Sequence, residues 1–355
     1  MNITFFIGGI SGGGAERTVC NLSNYMEDKG NECAVLTMSE DRNAYGLKDK
    51  VKVEVLIKDH EKKNKIFDNI VRLFRLLKYI RKKKCDVYIV FLPITIIMFL
   101  MFKNFTKAKV IVSERADPSR YHPVIQFLLK KLAYKADVWV FQTEDAKAWY
   151  GDSVKRAIVI PNAINEEFIR DSYKGERRKV IVGAGRLNEQ KNFELLINAF
   201  ADISHNYPEY DLEIYGEGIQ RNNLEKLVKN CGVANKVKMP GYVSSLGDKI
   251  RDASIFVLSS NFEGMPNALM EAMALGLTCI STDCPVGGPR SLIKTGENGI
   301  IIPVNDIEKL KDALKYVIEN SEVAKDLGKS AELIKNKLSP QKIYGEWLQI
   351  CYSLM

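Results

Sequence analysis

The chain has 355 residues, of which 46% are hydrophobic and 27% are charged, and its formal net charge at pH 7 is +8. This length exceeds the size at which a single hydrophobic core stops growing, so two domains are expected. The composition is that of an ordinary soluble globular protein, and the sequence contains neither an internal repeat nor a low-complexity segment.

The positive charge lies in the first half of the chain. Residues 1–172 hold 29 Lys and Arg against 21 Asp and Glu, whereas residues 173–355 hold 23 of each kind. Residues 62–84 alone carry ten Lys or Arg and one Asp. This clustering favours an anionic membrane surface or a phosphate-bearing acceptor as the partner. No RNA-binding signature accompanies it, so a nucleic-acid partner is not expected.

The cysteines and the apolar segments bear on the compartment. Seven cysteines include no C-x-x-C pair, and no signal peptide precedes the first predicted strand. The simplest interpretation is reduced thiols in the cytoplasm. Residues 87–102 are uncharged, but this segment is too short for a membrane span, and Pro93 divides it into a strand and the start of a buried helix.

A glycine run follows the first predicted strand, at residues 2–7, and leads into a helix. The run from Gly8 to Gly14 lacks the glycine order of a dinucleotide site and has no Walker lysine. One interpretation is a tight strand-to-helix turn. The other is a loop in which Gly13 and Gly14 let the backbone approach a phosphate or an acceptor closely.

Further strands alternate with helical segments through the first half of the chain. They are predicted over residues 32–38, 52–57, 86–91, 109–113 and 137–142. This alternation is typical of α/β proteins with a doubly wound parallel sheet.

The basic cluster falls on a helix predicted from residue 65 to residue 84. Apolar residues at helical spacing form one face of it: Ile66, Ile70, Leu73, Leu77 and Ile80. A second face carries Arg72, Arg75, Tyr79 and Lys82. The first interpretation is a packed helix with a solvated basic face. The second is a helix whose Arg72, Arg75 and Lys82 bind a membrane surface or the diphosphate of an acceptor.

Polar residues follow the strand predicted at 109–113, beginning with Glu114 and Arg115. His122 lies seven residues after Arg115. A lone histidine beside a proline is more often structural than catalytic.

The second domain begins after a polar, glycine-containing segment at 171–178, which is interpreted as a linker. A strand at 179–184 leads into a loop that contains Arg186 and Lys191. Two cations five residues apart on such a loop can both face one bound anion, and arginine can bind it through two parallel hydrogen bonds. The alternative is two exposed loop charges. Further along, Tyr242 either stacks on a ligand or belongs to the core.

The segment from Ser259 to Gly276 is the most informative part of the sequence. It follows an apolar run at 253–258, predicted as a buried strand, and it continues into a helix that Gly276 ends. Glu263 is expected in the strand-to-helix turn, at the edge where open α/β sheets bind ligands, and Glu271 two turns into the helix. The amides between them form a helix N-terminus, which favours anions. A nucleotide sugar suits this layout.

The setting of these glutamates, EGMPNALMEAMALG, and the segment GRLNEQKN at 185–192 together resemble the signature of retaining glycosyltransferases with the GT-B fold. That family includes many enzymes of bacterial capsule, O-antigen and lipid-linked oligosaccharide synthesis. The resemblance implies an α/β protein with two doubly wound Rossmann-like domains facing each other across a cleft. Residues 1–170 would bind the acceptor and residues 171–339 the nucleotide sugar, while residues 340–355 would form a helix crossing back to the first domain.

The resemblance also implies a role for each residue of the pattern. Arg186 and Lys191 would neutralise the departing nucleoside diphosphate, Glu263 would position the donor sugar, and Glu271 would hold the ribose. Other donor contacts are implied for Gly13, Gly14, Tyr242, Val243, Gly264, Met265, Pro266, Asn267 and Ala268. Acceptor or membrane contacts are implied for Arg72, Arg75, Lys82, Glu114, Arg115 and His122. Many relatives carry a histidine where this chain has Glu114 and Arg115, and His122 is the candidate to replace it.

The implied reaction moves a hexose or N-acetylhexosamine, with retention, from a nucleotide sugar to a glycan or polyprenyl-diphosphate-linked acceptor, and UDP is the favoured nucleotide. The sequence has no Asp-x-Asp and no His/Cys cluster with metal spacing, so no metal or other cofactor is expected. Two alternatives are a non-hydrolysing UDP-sugar epimerase and a catalytically silent nucleotide-sugar-binding subunit. The expected location is the cytoplasm, peripheral on the inner face of the plasma membrane.

Overall fold

The computed structural model of this chain describes residues 1–40 and 46–355. These residues fold into two compact units, a first unit of residues 1–163 and 341–355 and a second unit of residues 164–340. The division lies before residue 164, not at 170, because the residues that follow pack within the second unit. The Ile164 N–H donates to Leu338 O (2.9 Å), and the buried Phe168 ring packs beside Gly247.

A parallel sheet forms the centre of the first unit. Its strands are β1 (Asn2–Ile7), β2 (Glu32–Thr37), β3 (Lys52–Val55), β4 (Val87–Phe91), β5 (Lys109–Ser113), β6 (Val138–Phe141) and β7 (Ala157–Val159). They lie in the order β3-β2-β1-β4-β5-β6-β7, and the pairings between them are parallel. β4 is buried along its whole length, because a central parallel strand is covered on both faces. The doubly wound sheet predicted from the apolar runs is therefore confirmed.

Five helices connect these strands in the described part of the chain. They are α1 (Gly14–Asp28), α2 (Lys65–Lys82), α3 (Pro93–Met101), α4 (Pro123–Leu132) and α5 (Glu144–Tyr150). Crossovers between parallel strands are right-handed, so the direction of each step along the sheet decides which face its helix covers. The steps from β1 to β2 and from β2 to β3 run opposite to the later steps, which places α1 on one face and α2 to α5 on the other.

Helix α2 packs only partly as predicted. Leu76 and Ile80 are buried, whereas Ile66 and Ile70 are 76% and 48% exposed. Arg72 is half-buried, and its Nε donates to the carbonyl of Met38 (3.1 Å), which follows β2. The acceptor at the end of β2 thus draws Arg72 towards the sheet, while Arg75 and Lys82 of the predicted basic face remain exposed.

Arg75 is held in the same way. Its Nη1 and Nη2 donate to both carboxylate oxygens of Glu61 (2.6 and 2.7 Å), and Nη1 also donates to the carbonyl of Leu56 (2.8 Å). These contacts hold the pKa of the Glu61 carboxyl at about 2, below its ordinary value. Arg75 therefore ties α2 to the loop that precedes it.

A second parallel sheet forms the centre of the second unit. Its strands are β8 (Arg178–Ala184), β9 (Asp211–Tyr215), β10 (Val237–Gly241), β11 (Ala253–Leu258), β12 (Thr278–Thr282) and β13 (Ile300–Ile302). They lie in the order β10-β9-β8-β11-β12-β13. The helices of this unit are α6 (Phe193–Ser204), α7 (Arg221–Asn230), α8 (Leu246–Ile250), α9 (Asn267–Ala274), α10 (Gly288–Leu292), α11 (Ile307–Glu319), α12 (Ser321–Glu332) and α13 (Ile334–Lys337). The neighbouring strands β8 and β11 carry the site described below on their carboxyl ends.

The C-terminal helix α14 (Pro340–Ser353) packs against the first unit. Its Trp347 is completely buried, with the ring centre 6.0 Å from that of Phe91 at the end of β4. Tyr344 lies 5.6 Å, ring centre to ring centre, from Tyr25 of α1. No helix within residues 1–40 and 46–355 combines the length and the apolar character needed to cross a membrane.

Replacing Trp347 by alanine should loosen the first unit selectively, because truncating a buried tryptophan costs about 3–5 kcal/mol. Hydrogen exchange measured by mass spectrometry should show faster exchange in β4 and β5 of the variant. Peptides from β8 and β9 should exchange as in the wild type. The matched control is Tyr352→Ala on the same helix, since Tyr352 is 53% exposed. Equal effects of the two substitutions would contradict the packing described here.

Candidate active site

The turn between β11 and α9 holds the first of the two glutamates. Glu263 is 7% exposed, and the Ser260 that precedes it in the turn is completely buried. Backbone hydrogen bonds fix the turn from the other side: the Glu263 N–H donates to Pro285 O (2.7 Å), and the Val286 N–H donates to Glu263 O (2.9 Å). The position of the carboxylate is thus set by backbone as well as by side chains.

Glycine at position 288 permits this close packing. A Cβ atom at Gly288 would lie 2.0 Å from the carbonyl oxygen of Gly264, which is far inside contact distance. Any larger residue would push the 285–288 loop away from the Glu263 turn.

The loop that follows β8 is hydrogen-bonded to the same turn. The Asn261 N–H donates to Gln190 O (2.7 Å), and the Asn261 side chain donates to Glu189 O (2.8 Å). In addition, the Ser259 hydroxyl donates to Lys191 O (2.9 Å). These bonds join the ends of two neighbouring strands into one surface.

Lys191 and Glu263 meet at this junction. Lys191 Nζ lies 2.6 Å from Glu263 Oε1, and the two side chains are 14% and 9% exposed. The Ser260 hydroxyl donates to the same oxygen (2.8 Å), while Gln190 Nε2 lies 3.4 Å from Glu263 Oε2. Separating an ion pair so far from solvent would leave a buried charge without a partner, so each group holds the other in place.

Ser260 and Gln190 are site residues that the sequence analysis did not single out. Gln190 lies within the segment at 185–192, and Ser260 lies three residues before Glu263. Neither side chain is charged, so the sequence alone gives no reason to assign either one to the site. Gln190 Nε2 also donates to the carbonyl of Phe262 (3.0 Å), and the Ser260 carbonyl accepts from the Thr282 hydroxyl (2.6 Å). Their position against Glu263 appears only once the strands are assembled.

Helix α9 begins beside the pair. Its N-cap is Pro266, whose side chain has no oxygen to accept from the first-turn amides of Asn267 and Ala268. Such amides carry the positive end of the helix dipole and favour an anion. Glu271 follows in the same helix and is 6% exposed. In the chain, Glu263 is followed directly by Gly264, Met265 and the start of this helix.

Arg186 and Tyr242 project from loops at the same edge of the sheet. Arg186 is exposed and makes no side-chain hydrogen bond or ion pair with any residue in the described ranges. Tyr242 is 80% exposed, so the core interpretation of this residue is wrong, and Val243 beside it is half-buried. Both Arg186 and Tyr242 are available to a ligand.

Cys284 directly precedes the loop that contacts the Glu263 turn, and a cysteine thiolate can act as a catalytic nucleophile. Burial, and then the negative charge of Glu263, raises the pKa of its thiol to about 12. The thiolate is the nucleophilic form, so this cysteine is inert near neutral pH. Within the described residues, no group of three or more His, Cys, Asp or Glu side chains is arranged to hold a metal ion.

In the first unit, the glycine loop keeps its backbone open. Gly12 adopts φ +146°, Gly13 is the extended N-cap of α1, and Gly14 begins the helix. A side chain at Gly12 would be strained by this backbone conformation. The loop geometry is compatible with both interpretations given above.

Glu114 has a structural role in place of the expected acceptor contact. Its carboxylate is 1% exposed and accepts from the hydroxyls of Tyr121 (2.7 Å) and Tyr150 (2.8 Å) and from the Arg115 N–H (2.9 Å). Burial raises the pKa of this carboxyl above its ordinary value. His122 is exposed and caps α4, since its Nδ1 accepts from the Val124 N–H (3.4 Å).

Comparison with known proteins identifies the family of this chain. Residues 12–168 match the family model described as Glycosyltransferase Family 4, and residues 164–333 match the one described as Glycosyl transferases group 1. The two matches follow each other along nearly the whole chain.

Similar proteins include two from Campylobacter jejuni. One is GalNAc-alpha-(1->4)-GalNAc-alpha-(1->3)-diNAcBac-PP-undecaprenol alpha-1,4-N-acetyl-D-galactosaminyltransferase, which is 28% identical over 356 residues, covering 99% of this chain and 98% of the relative. The other is N-acetylgalactosamine-N,N'-diacetylbacillosaminyl-diphospho-undecaprenol 4-alpha-N-acetylgalactosaminyltransferase, which is 28% identical over 345 residues, with 92% of each chain covered.

Among solved structures, Anabaena HepE in complex with UDP superimposes with a TM-score of 0.86 at 15% sequence identity, over 99% of this chain and 100% of HepE. A likeness at this identity shows the fold. With the two family models and the two parallel sheets, it shows that the chain belongs to the family 4 glycosyltransferases, which have the GT-B fold.

Proposed function

We propose that this chain transfers a hexose or an N-acetylhexosamine, with retention of configuration, from a UDP-sugar to a glycan carried on a polyprenyl diphosphate. The observation that carries the proposal is the ion pair between Lys191 and Glu263, held beside the N-terminus of α9. The C. jejuni relatives are named for undecaprenyl-linked acceptors, and HepE is described in complex with UDP, which supports these choices.

The proposed donor site needs positive charge for the leaving diphosphate. Lys191 uses one N–H to bind Glu263, so two further N–H groups remain for phosphate oxygens. Arg186, exposed on the same loop, adds a guanidinium, and the first-turn amides of α9 add the helix dipole. Fixed donors of this kind are commonly worth several kcal/mol of the barrier, and they require no metal.

The acidic and aromatic groups have complementary roles in the proposal. Glu263 accepts hydrogen bonds from hydroxyls of the donor sugar, Glu271 binds the ribose, and Tyr242 lies against the base. Glu263 is already held by Lys191, Ser260 and Gln190, so it binds the sugar without first being ordered.

The proposed chemical step breaks the bond between the sugar C1 and the diphosphate oxygen. The acceptor oxygen forms a new bond to C1 on the same face of the sugar, and its proton passes to the departing diphosphate. No enzyme nucleophile takes part, which agrees with the inert thiol of Cys284. Epimerisation of the donor without transfer, or binding without turnover, would be observed instead if either alternative from the sequence were correct.

Contact with a membrane is part of the proposal, and the surface we assign to it is the exposed side of α2. Ile66, Ile70 and Phe74 form an apolar row along this helix, and they are 76%, 48% and 70% exposed. Such a row is unusual on a helix surface in water. We assign the membrane contact to this row because Arg72 and Arg75 are engaged by the carbonyl of Met38 and by Glu61.

Charge on the same helix favours an anionic bilayer as the partner of the apolar row. Asp68, the one acidic residue of α2, is buried and accepts from the Lys63 N–H (2.9 Å). Lys63, Lys78 and Lys82 are exposed near the row. Apolar side chains next to lysines and without exposed carboxylates are typical of helices that lie at a lipid interface.

Transfer should be tested with purified protein, a panel of nucleotide sugars and lipid-linked acceptors. Arg186→Ala and Lys191→Ala should each lower kcat about 100-fold or more, because each removes charge that stabilises the departing diphosphate. The control is Lys179→Ala, since Lys179 on β8 is exposed and pairs only weakly with Glu209 (3.5 Å). Activity within a factor of a few of wild type in both variants would refute these roles.

Ser260→Ala should lower kcat/KM about tenfold or more, because it removes one hydrogen bond that positions the Glu263 carboxylate. Ser254→Ala, at the other end of β11, removes a hydroxyl that donates to Val180 O (3.1 Å) and makes no contact with Glu263, so it serves as the control. Thermal unfolding should be nearly the same for the two variants. If their kinetic constants also coincide, Ser260 has no positioning role.

The double variant Ile70→Ser, Phe74→Ser should reduce binding to phosphatidylcholine vesicles that contain phosphatidylglycerol by at least tenfold, since each buried apolar side chain contributes about 1.5–3 kcal/mol. Vesicle sedimentation measures this directly. Tyr316→Ser, on an exposed position of α11, is the control. Unchanged sedimentation of the double variant would remove α2 as the membrane contact.

A further inference from the structure

A second polar cluster lies in the first unit, where β5 and β6 end. Its members are Ser113, Arg115, Gln142, Asn162 and Trp347, which we call the Arg115 cluster. Ser113 is the last residue of β5, and Gln142 directly follows β6, so neighbouring parallel strands bring these side chains to the same edge of the sheet. Trp347 reaches the edge from α14.

Arg115 is held at the centre of this cluster. Its guanidinium carbon lies 5.4 Å from the ring centre of Phe91 and 5.3 Å from that of Trp347. Its Nη1 donates to Asn162 Oδ1 (2.8 Å), an oxygen that also accepts from Gln142 Nε2 (2.6 Å). Two rings and one amide therefore fix the orientation of the guanidinium plane.

The two remaining nitrogens of Arg115 have no partner among the described residues. Nε and Nη2 are out of contact with solvent and donate to no acceptor there. Their N–H bonds point in parallel along one edge of the guanidinium, which is the edge that binds two oxygens of a carboxylate or phosphate at once. The Ser113 hydroxyl, Trp347 Nε1 and Gln142 Oε1 are likewise buried and without a partner in the described ranges.

Among residues 1–40 and 46–355, no carboxylate forms an ion pair with the Arg115 guanidinium. The adjacent Glu114 directs its oxygens to the hydroxyls of Tyr121 and Tyr150 and to backbone amides. Burial lowers the pKa of Arg115 to about 10, and the neighbouring charges only partly oppose this shift. A guanidinium removed from water without a counter-ion is costly, and a bound anion would relieve that cost.

We infer that the Arg115 cluster binds a phosphate group, with two phosphate oxygens on the Nε and Nη2 edge of Arg115. The Ser113 hydroxyl and the indole N–H of Trp347 supply two more donors, which suits the several terminal oxygens of phosphate better than the two of a carboxylate. Gln142 Oε1 can accept from a protonated phosphate oxygen. As a whole residue Arg115 is only half-buried, so the cluster lies near solvent.

This phosphate is either free in solution or carried on a substrate. A prenyl diphosphate is the substrate-borne source that the proposed function would supply. The inference itself does not depend on that function, since it rests on contacts within the first unit and its test involves no sugar transfer.

The full-length protein, labelled with ¹⁵N in its arginines, gives a direct measurement. The Nε–H signal of Arg115 is assigned by its loss in Arg115→Lys and is followed during titration with inorganic phosphate, inorganic pyrophosphate and geranyl diphosphate, with ionic strength held constant by potassium chloride. A saturable shift of this signal is expected. Tighter binding of geranyl diphosphate than of pyrophosphate would assign the site to a lipid-borne phosphate, and equal or weaker binding to the free anion.

Three variants test the geometry by calorimetric titration with the same probes. Arg115→Lys keeps the charge but loses the double N–H edge, and it should weaken binding at least tenfold. Ser113→Ala should weaken it severalfold, because one donor is removed. Arg156→Lys, at an exposed position of the same unit, should bind as the wild type does.

An Arg115 signal that does not saturate with any of the three probes, or that moves equally with potassium chloride alone, would overturn the inference. In that case the cluster is bridged by water. Binding that is identical in Arg115→Lys and wild type would also overturn it, since the anion would then lie elsewhere.

Discussion

The contact between the Lys191 ammonium and the Glu263 carboxylate is the interaction on which the chemistry proposed for the second unit depends. Both groups lie in loops that follow strands. Asn261 and Ser259 bind the two loops together through the backbone, so the ion pair is fixed before any ligand arrives. A pair of this kind adds little net stability. Its value lies in keeping two opposite charges where a dipolar ligand would need them.

Much of the fold could be predicted from the sequence because buried parallel strands leave a strong signal. An apolar run such as Val87 to Phe91 is stable only when it is buried between two layers of helices, and the same holds for Ala253 to Leu258. The face of α2 could not be predicted in this way. Helical spacing identifies two faces, but it does not show that the carbonyl of Met38 and the carboxylate of Glu61 bind Arg72 and Arg75.

The charged members of the site were visible in the sequence, and their supports were not. Lys191 and Glu263 belong to segments with a recognisable pattern, whereas Ser260 and Gln190 act only through distances set by the assembled sheet. Glu114 shows the opposite case. The family resemblance implied an acceptor or membrane contact for it, yet two tyrosines from separate segments occupy its oxygens. A carboxylate at a strand end is therefore informative only when its neighbours are known.

The packing of α14 on the first unit has a consequence for how the protein is made. The Tyr25 hydroxyl donates to the carbonyl of Gln341, 316 positions away in the sequence. Trp347, which covers Phe91 and Arg115, leaves the ribosome only after the whole second unit has been synthesised. Part of the core of the first unit's sheet therefore stays uncovered until the second unit has been synthesised. Translation delays and chaperone binding should act most strongly during that interval, and premature termination near residue 340 would leave an aggregation-prone surface.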